Sequence, residues 1–275
     1  MAGGIIHSAI AAHSPRMGVE EKAPDFVKGL IKGAYEMGER IRADKPDVIV
    51  VNSAHWVTTF MWYVTCQARH KGVVIADEAP DLIPGVPYER KGDPEFARAL
   101  VEEINAAGFP CRPNESPHYT WDYGSWVPVK YMDPEGRIPV VLTGTVPLAD
   151  NAECMAVGAA VRRTAEKTGK RAVVVCSSSL THKIVRGPDK WPLQSHMELD
   201  FKFMDMLKQG RIGEAKEWFP RYTKDVVGEM GGRNVAFMLG AIDEAKGRWR
   251  GEQYGPYGQS SGSGNCNLTV FPTGQ

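Results

Sequence analysis

The chain has 275 residues, with 33 Lys plus Arg balanced by 33 Asp plus Glu. That length supports a sizeable core without disulfides or structural metals. A formal net charge of zero, without long runs of one sign, argues against nucleic acid or an anionic membrane as the main partner.

Five scattered cysteines (Cys66, Cys111, Cys154, Cys176, Cys266) contain no C-x-x-C pair. A zinc-finger reading therefore fails, and reduced thiols in the cytoplasm are expected. The apolar stretch at the N-terminus has no basic region before it and is interrupted by His7 and His13, so no signal peptide is expected.

In chain order, Ile5–Ala12 is an apolar run that reads as a first strand and ends in His13-Ser14-Pro15. Pro24–Ala43 carries Phe26, Val27, Leu30, Ile31, Ala34, Met37 and Ile41 at the helical period. Val48–Asn52 follows as a strand buried on both faces, which makes a β-α-β unit with a parallel pair. His55 comes three residues later, in a loop. Val48–Ala68 lacks charged residues, but Asn52, Ser53, His55, Thr58, Thr59 and Gln67 fit two consecutive strands better than a membrane span.

Phe60–Cys66 and Gly72–Ala76 read as further strands. Glu78–Lys91, with Pro80, Pro84 and Pro87, reads as a long irregular loop. Asp93-Pro94 opens a helix that Gly108 ends. Pro139–Leu142 is a short buried strand. Asp150–Thr168 is a helix with a capping box and a glycine stop, and Ala172–Cys176 is another buried strand. Ser195–Gln209 is a helix capped by Ser195 and Glu198, with His196 exposed at its start. Ile212–Trp218 is a short helix, Asn234–Lys246 a core helix and Cys266–Phe271 a last strand. The Gly- and Tyr-rich segment 251–264 reads as a functional loop.

Three of these strands deliver a histidine near their ends: His13, His55 and, after Ser177-Ser178-Ser179, His182. In open α/β sheets the carboxyl ends of the strands are where ligands bind. Two imidazoles and one carboxylate on one face of a metal leave positions open, which suits non-haem Fe(II). By position alone the carboxylate is Glu252, Glu229, Asp122 or Asp200, and His182 fits a third ligand as well as an acid–base group. Ser116–Trp126, with His118, Tyr119, Trp121, Asp122, Tyr123 and Trp126, suits a flat aromatic substrate, though a loop packed on the core by its aromatics would look the same.

Two lookalikes fail. Gly258-Gln259-Ser260-Ser261-Gly262 matches the G-x-S-x-G elbow, but no Asp, Glu or His follows it. His196-Met197-Glu198 matches half of a zinc-deaminase motif whose P-C-x-x-C half is missing. A P-loop and a G-x-G-x-x-G fingerprint are also absent, which argues against nucleotide-driven chemistry.

His13-Ser14-Pro15, Ser53-Ala54-His55-Trp56, Asp122-Tyr123-Gly124, Ser179-Leu180-Thr181-His182 and Ser261-Gly262-Ser263-Gly264 occur in this order nearly end to end. Together they resemble the type III extradiol ring-cleaving dioxygenases of the protocatechuate 4,5-dioxygenase superfamily, nearest the homoprotocatechuate 2,3-dioxygenase and 2-aminophenol 1,6-dioxygenase branches. The resemblance implies one α/β domain over residues 1–275, with a central mixed, largely parallel sheet and helices on both faces. It implies Fe(II) held by His13, His55 and Glu252, and His182 as the catalytic histidine. Tyr123 stands where some relatives have histidine and the nearer ones tyrosine, as a catalytic and substrate-contacting residue beside His118 and Asp122. The implied reaction opens a catechol-type ring with O2 to a semialdehyde, with a homoprotocatechuate-like substrate first and a 2-aminophenol-like one second. Arg186, Arg221 and Arg233 are candidates for a substrate carboxylate. A homo-oligomer, dimer or tetramer, is expected, with a hetero-subunit as a variant. The competing readings are a non-catalytic or partner subunit of the same fold, and a zinc hydrolase.

Overall fold

Runs of β-branched and aliphatic residues build the middle of one large sheet. The structure is a computed structural model that describes residues 3–274. Strand β1 (Gly4–Ala11) leads through a short 3-10 turn at Pro15–Met17 to helix α1 (Asp25–Ala43) and back to β2 (Val48–Val57). Then come β3 (Trp62–Thr65), β4 (Arg69–Ile75), β5 (Pro84–Lys91), α2 (Pro94–Ala106), β6 (Cys111–Asn114), α3 (Tyr123–Met132) and β7 (Val140–Thr145). The rest is α4 (Asn151–Thr168), β8 (Arg171–Ser177), α5 (Gln194–Lys208), α6 (Ile212–Asp225), α7 (Arg233–Ala241) and the hairpin β9 (Arg248–Ser260) and β10 (Ser263–Thr273).

Eight strands form the sheet in the order β6-β3-β7-β2-β8-β1-β10-β9, while β4 and β5 form a separate two-stranded ribbon. The central strands β7, β2, β8 and β1 are parallel; β10 and β9 continue antiparallel on one side, and β3 is antiparallel to β7 on the other. Alternate residues of the central strands face two separate cores. Val48, Val50, Val174 and Cys176 pack among residues of α2 and α4–α7. Ile49, Val51, Val173 and Val175 pack among residues of α1 and α3. Burial on both faces is why these strands are apolar throughout. The expected α/β domain with a mixed, largely parallel sheet and helices on both faces is what the chain forms. No helix among the described residues is long and apolar enough to cross a membrane. All five cysteines are free and buried.

Several expectations need correction. β2 does not stop at Asn52: it runs on to Val57, with an irregular register between Asn52 and Val57, so His55 lies on an irregular strand end rather than in a loop. Half of the supposed loop 78–91 is strand β5, because its prolines sit on a ribbon of only two strands. The segment 251–264 is largely β9 and its turn. Helix α5 begins at Gln194 after Leu193, without a side-chain cap, and Glu198 accepts instead from Gln194 Nε2 at 3.1 Å. His196 is buried rather than exposed, its Nδ1 lying 3.0 Å from Thr181 Oγ1. The core helix expected over 234–246 ends at Ala241.

Candidate metal centre

His13 follows β1 by two residues and is buried. Ser14, next to it, turns the chain: its Oγ accepts from Arg16 N–H, and its hydroxyl lies 3.1 Å from that of Ser260 in the β9 end. His55 is shaped by Ser53, whose Oγ accepts from His55 N–H and donates to Asp122 Oδ1 at 2.5 Å. Asp122 is the N-cap of α3, accepting also from Ser125 N–H and Ser125 Oγ–H. A β-carbon at Gly124 would come within 3.0 Å of Ser53 Oγ, Asp122 Oδ1 and His55 Cδ2, so only glycine allows this approach. Beneath the site, buried Asn234 donates to Asn52 Oδ1 and Thr145 Oγ1, both at 2.7 Å, tying α7 to β2 and β7.

The carboxylate at this centre is Glu229. It opens a 3-10 turn in which Met230, Gly231 and Gly232 all have positive φ. Backbone contacts draw it inward: Thr181 bridges Gly228, and Glu229 N–H donates to Leu180 O. Ser179 then fixes the carboxylate, donating from N at 2.5 Å and from Oγ at 2.8 Å to Oε2. Oε1 is left facing His13 Nε2 at 3.3 Å, His55 Nε2 at 3.8 Å and His182 Nε2 at 3.9 Å. The two Nε2 atoms of His13 and His55 are 3.1 Å apart.

His13, His55 and Glu229 thus offer ligand atoms within 4.8 Å of one another. Two imidazole nitrogens and a carboxylate oxygen, with His13 and Glu229 buried and His55 partly so, are a donor set that fits a divalent transition metal. Their charges are mutually adjusted. Burial would raise the Glu229 carboxyl, but His13, with His182 and the Ser179 N–H, outweighs it and holds the group well below the usual carboxylate range. Burial would lower His13, but Glu229 raises it on balance. Burial and the neighbouring His13 lower His55.

Glu252 is not brought to this centre. It lies in the body of β9, opposite Thr269 of β10, eight residues before the end of the strand that reaches Ser14. The local Gly- and Tyr-rich composition suggests a loop, but hairpin pairing with β10 holds the residue away. His182 does reach the centre, with Nδ1 2.7 Å from Ser179 Oγ. Tyr123 places its hydroxyl 2.8 Å from His55 Nε2 and donates to Glu78 Oε1 at 2.5 Å. Burial and Glu78 push this phenol up, so it stays protonated. His118 is exposed and lines neither cavity beside the centre, and Asp122 is engaged as a helix cap. Glu78 had no sequence signal beyond its place in a Pro-rich stretch.

The centre opens into a cavity of about 410 Å³ lined by His13, Arg16, His55, Tyr123, His182 and Glu229, among others. A second space of about 330 Å³, with Trp56, Tyr119 and Trp121, shares His55, Glu78 and Tyr123 with it. Arg16 is half-buried, and its guanidinium has no hydrogen bond or ion pair among the described residues. Of the other arginines considered, Arg233 is spent on the carbonyls of Pro147, Ala149 and Met230, Arg221 faces Asp225 on the surface, and Arg186 is exposed.

Comparison with known proteins agrees with this picture. The chain is 24% identical to 3,4-dihydroxyphenylacetate 2,3-dioxygenase of Escherichia coli, over 87% of this chain and 91% of that one. It is 27% identical to the 2-aminophenol 1,6-dioxygenase beta subunit of a Pseudomonas species, over 96% and 93%. The crystal structure of an uncharacterized protein from Escherichia coli K12 shares the fold, with a TM-score of 0.69 at 20% identity, covering 96% of this chain and 99% of that one. The family model described as the catalytic LigB subunit of aromatic ring-opening dioxygenase matches residues 7–268, so the chain belongs to that family and is a ring-cleaving dioxygenase.

Proposed function

We propose that the protein is an Fe(II)-dependent extradiol dioxygenase acting on a catechol-type ring that bears a carboxylate, with His13, His55 and Glu229 as the metal ligands. The observation that carries this reading is the convergence of three ligand atoms within 4.8 Å at the wall of one cavity. Fe(II) at such a site supplies a Lewis acid with open positions for an aromatic diol and for O2. A cavity of about 410 Å³ is of the size that takes a small aromatic compound.

The residues around it divide the remaining tasks. Ser179 Oγ gives its proton to Glu229 Oε2, so towards His182 it acts as acceptor for Nδ1–H. His182 Nε2 then carries a lone pair at the cavity, where it can take a proton from a substrate hydroxyl and later return it. Tyr123 brings a protonated hydroxyl, donating to Glu78, to the cavity beside His55. Arg16 offers an unpaired guanidinium to a ring substituent, which favours a carboxylate-bearing catechol of the homoprotocatechuate kind over plain 2-aminophenol. The names of two relatives fit this range, a dihydroxyphenylacetate dioxygenase and a 2-aminophenol dioxygenase subunit. An assembly of identical subunits, or one completed by a second chain, is part of the same reading.

The test starts from protein reconstituted anaerobically with Fe(II). Air is admitted, and oxygen uptake and ultraviolet–visible spectra are followed with homoprotocatechuate, protocatechuate, catechol, gallate, hydroquinone and 2-aminophenol in parallel. Uptake with a new ring-opened chromophore, fastest for homoprotocatechuate, is expected. Stoichiometric iron without uptake for any compound would overturn the substrate assignment, and failure to retain iron would overturn the ligand set.

A further inference from the structure

Glu78 stands in the turn joining β4 to β5, and two fully buried residues, Ala76 and Ile83, clamp that turn to the core. Within it Ala76 N–H donates to Ile83 O, Ala79 N–H to Ala76 O and Leu82 N–H to Ala79 O. The carboxylate is thus presented by an ordered turn, although its own side chain is about half exposed. It lines both cavities beside the metal centre. Its Oε1 accepts from the Tyr123 hydroxyl at 2.5 Å and lies 3.4 Å from His55 Nδ1.

The proton inventory around His55 gives these contacts a purpose. A histidine that binds metal through Nε2 must carry its proton on Nδ1, and that N–H then needs an acceptor. Glu78 Oε1 faces Nδ1 at 3.4 Å, an electrostatic contact outside hydrogen-bond alignment. Tyr123 has one hydroxyl proton and two acceptors in range, Glu78 Oε1 at 2.5 Å and His55 Nε2 at 2.8 Å. Donation to His55 would occupy the lone pair a metal needs. Donation to the charged carboxylate is the stronger of the two bonds.

We infer that Glu78 is a positioning residue for the metal centre, placing its negative charge beside the Nδ1 edge of His55 and drawing the Tyr123 proton away, so that His55 Nε2 stays open to the ion. This rests on the proposed ligand set of His13, His55 and Glu229. Its consequence is specific: without Glu78 the Tyr123 hydroxyl turns to His55 Nε2 and competes with the metal, so removing that hydroxyl as well restores part of the affinity.

The experiment is a titration of the whole protein with Co(II), followed by its visible absorption and by competition with a chelator, with no turnover required. Wild type is compared with Glu78→Ala, Glu78→Gln, Tyr123→Phe, the double variant Glu78→Ala/Tyr123→Phe, and Asp81→Asn as a charge control on the same turn. Loss of an outer carboxylate partner of a metal-bound histidine costs roughly 10–100-fold in affinity. Glu78→Ala is expected to fall in that range, with Glu78→Gln falling less, the double variant binding more tightly than Glu78→Ala, and Asp81→Asn matching wild type. Wild-type affinity in Glu78→Ala, an equal loss in Asp81→Asn, or a double variant no tighter than Glu78→Ala would each overturn the inference while leaving the ligand set standing. Absence of Co(II) binding by wild type itself would overturn the ligand set and this inference with it.

Discussion

At the scale of single residues, two glutamates separate the sequence reading from the geometry. Glu229 faces both histidines, whereas Glu252 is held in the body of a hairpin. Glu229→Gln should therefore weaken metal binding roughly a hundredfold or more, beyond the cost of losing an outer partner. Glu252→Gln should leave it unchanged, and metal content after dialysis against a chelator reads the difference. The reverse pattern would return the third ligand to β9. His182 touches the cavity without being one of the three converging donors, so His182→Phe should keep the metal while slowing turnover by about 10²–10⁴-fold. Loss of metal in that variant would make His182 a ligand instead. Arg16→Leu addresses substrate choice. A charge-assisted bond lost to a ring carboxylate is worth about 1.5–3 kcal/mol, which should raise KM for homoprotocatechuate about tenfold or more and leave KM for 4-methylcatechol nearly unchanged. Equal effects on both compounds would remove Arg16 from substrate recognition.

At the scale of elements, the glycines of β9 explain why that hairpin was hard to read. Gly33 in the middle of α1 lies directly against β9: a β-carbon there would come 2.2 Å from Tyr254 O and 2.9 Å from Gly255 Cα. The glycines mark close packing of strand on helix, a tertiary fact that looks like loop composition in one dimension. An alanine normally stabilises a helix interior by about 1 kcal/mol relative to glycine. Gly33→Ala should instead destabilise the fold by about 1–3 kcal/mol, because the overpacked neighbour is backbone and cannot rotate away. Urea unfolding gives the sign, and a stabilised variant would mean that α1 can move off β9. The same distinction runs through the rest of the chain. His13, His55 and His182 were legible because each stands close to the end of an apolar strand, and parallel strands carry such ends to one edge of a sheet. The caps of α2 and α4 were legible because Asp93 and Asp150 act within three residues of themselves. Choosing Glu229 over the other carboxylates depends on Ser179, fifty residues away, and on a turn with a non-glycine residue at positive φ. Glu78 depends on a ribbon outside the main sheet. No local pattern encodes contacts of that range.

At the scale of the whole molecule, buried ionisable groups away from the centre set how the fold responds to acid. His70 is buried against Trp121, with Nε2 3.1 Å from Val140 O, and burial lowers it more than that carbonyl raises it. His7 is likewise lowered by burial, partly offset by Asp44. A histidine lowered in the folded state contributes stability that is present above its unfolded value, near 6.5, and is lost as pH falls below it. Asp200 works the other way. It joins α5 to α6 and β9 by accepting from Tyr222 Oη at 2.7 Å and Tyr257 Oη at 2.6 Å, and from Thr181 N–H. Burial outweighs these donors and pushes its carboxyl up to about 6. A carboxyl raised in this way favours the fold most below its unfolded value, near 4, and that contribution is lost as pH rises through about 6. Between pH 7.5 and 5 the two effects therefore oppose each other, and each can be removed separately. His70→Gln keeps a donor for Val140 O but cannot charge, so its Tm should fall less on acidification than that of wild type. Asp200→Asn loses the group that takes up a proton in the folded state, so its Tm should fall more steeply, by an amount corresponding to roughly 1 kcal/mol between pH 7.5 and 5. Tm curves parallel to wild type for both variants would show that neither group governs the acid response, and would shift it to the buried charges of the metal centre, where bound metal rather than pH alone would then set the stability of the fold.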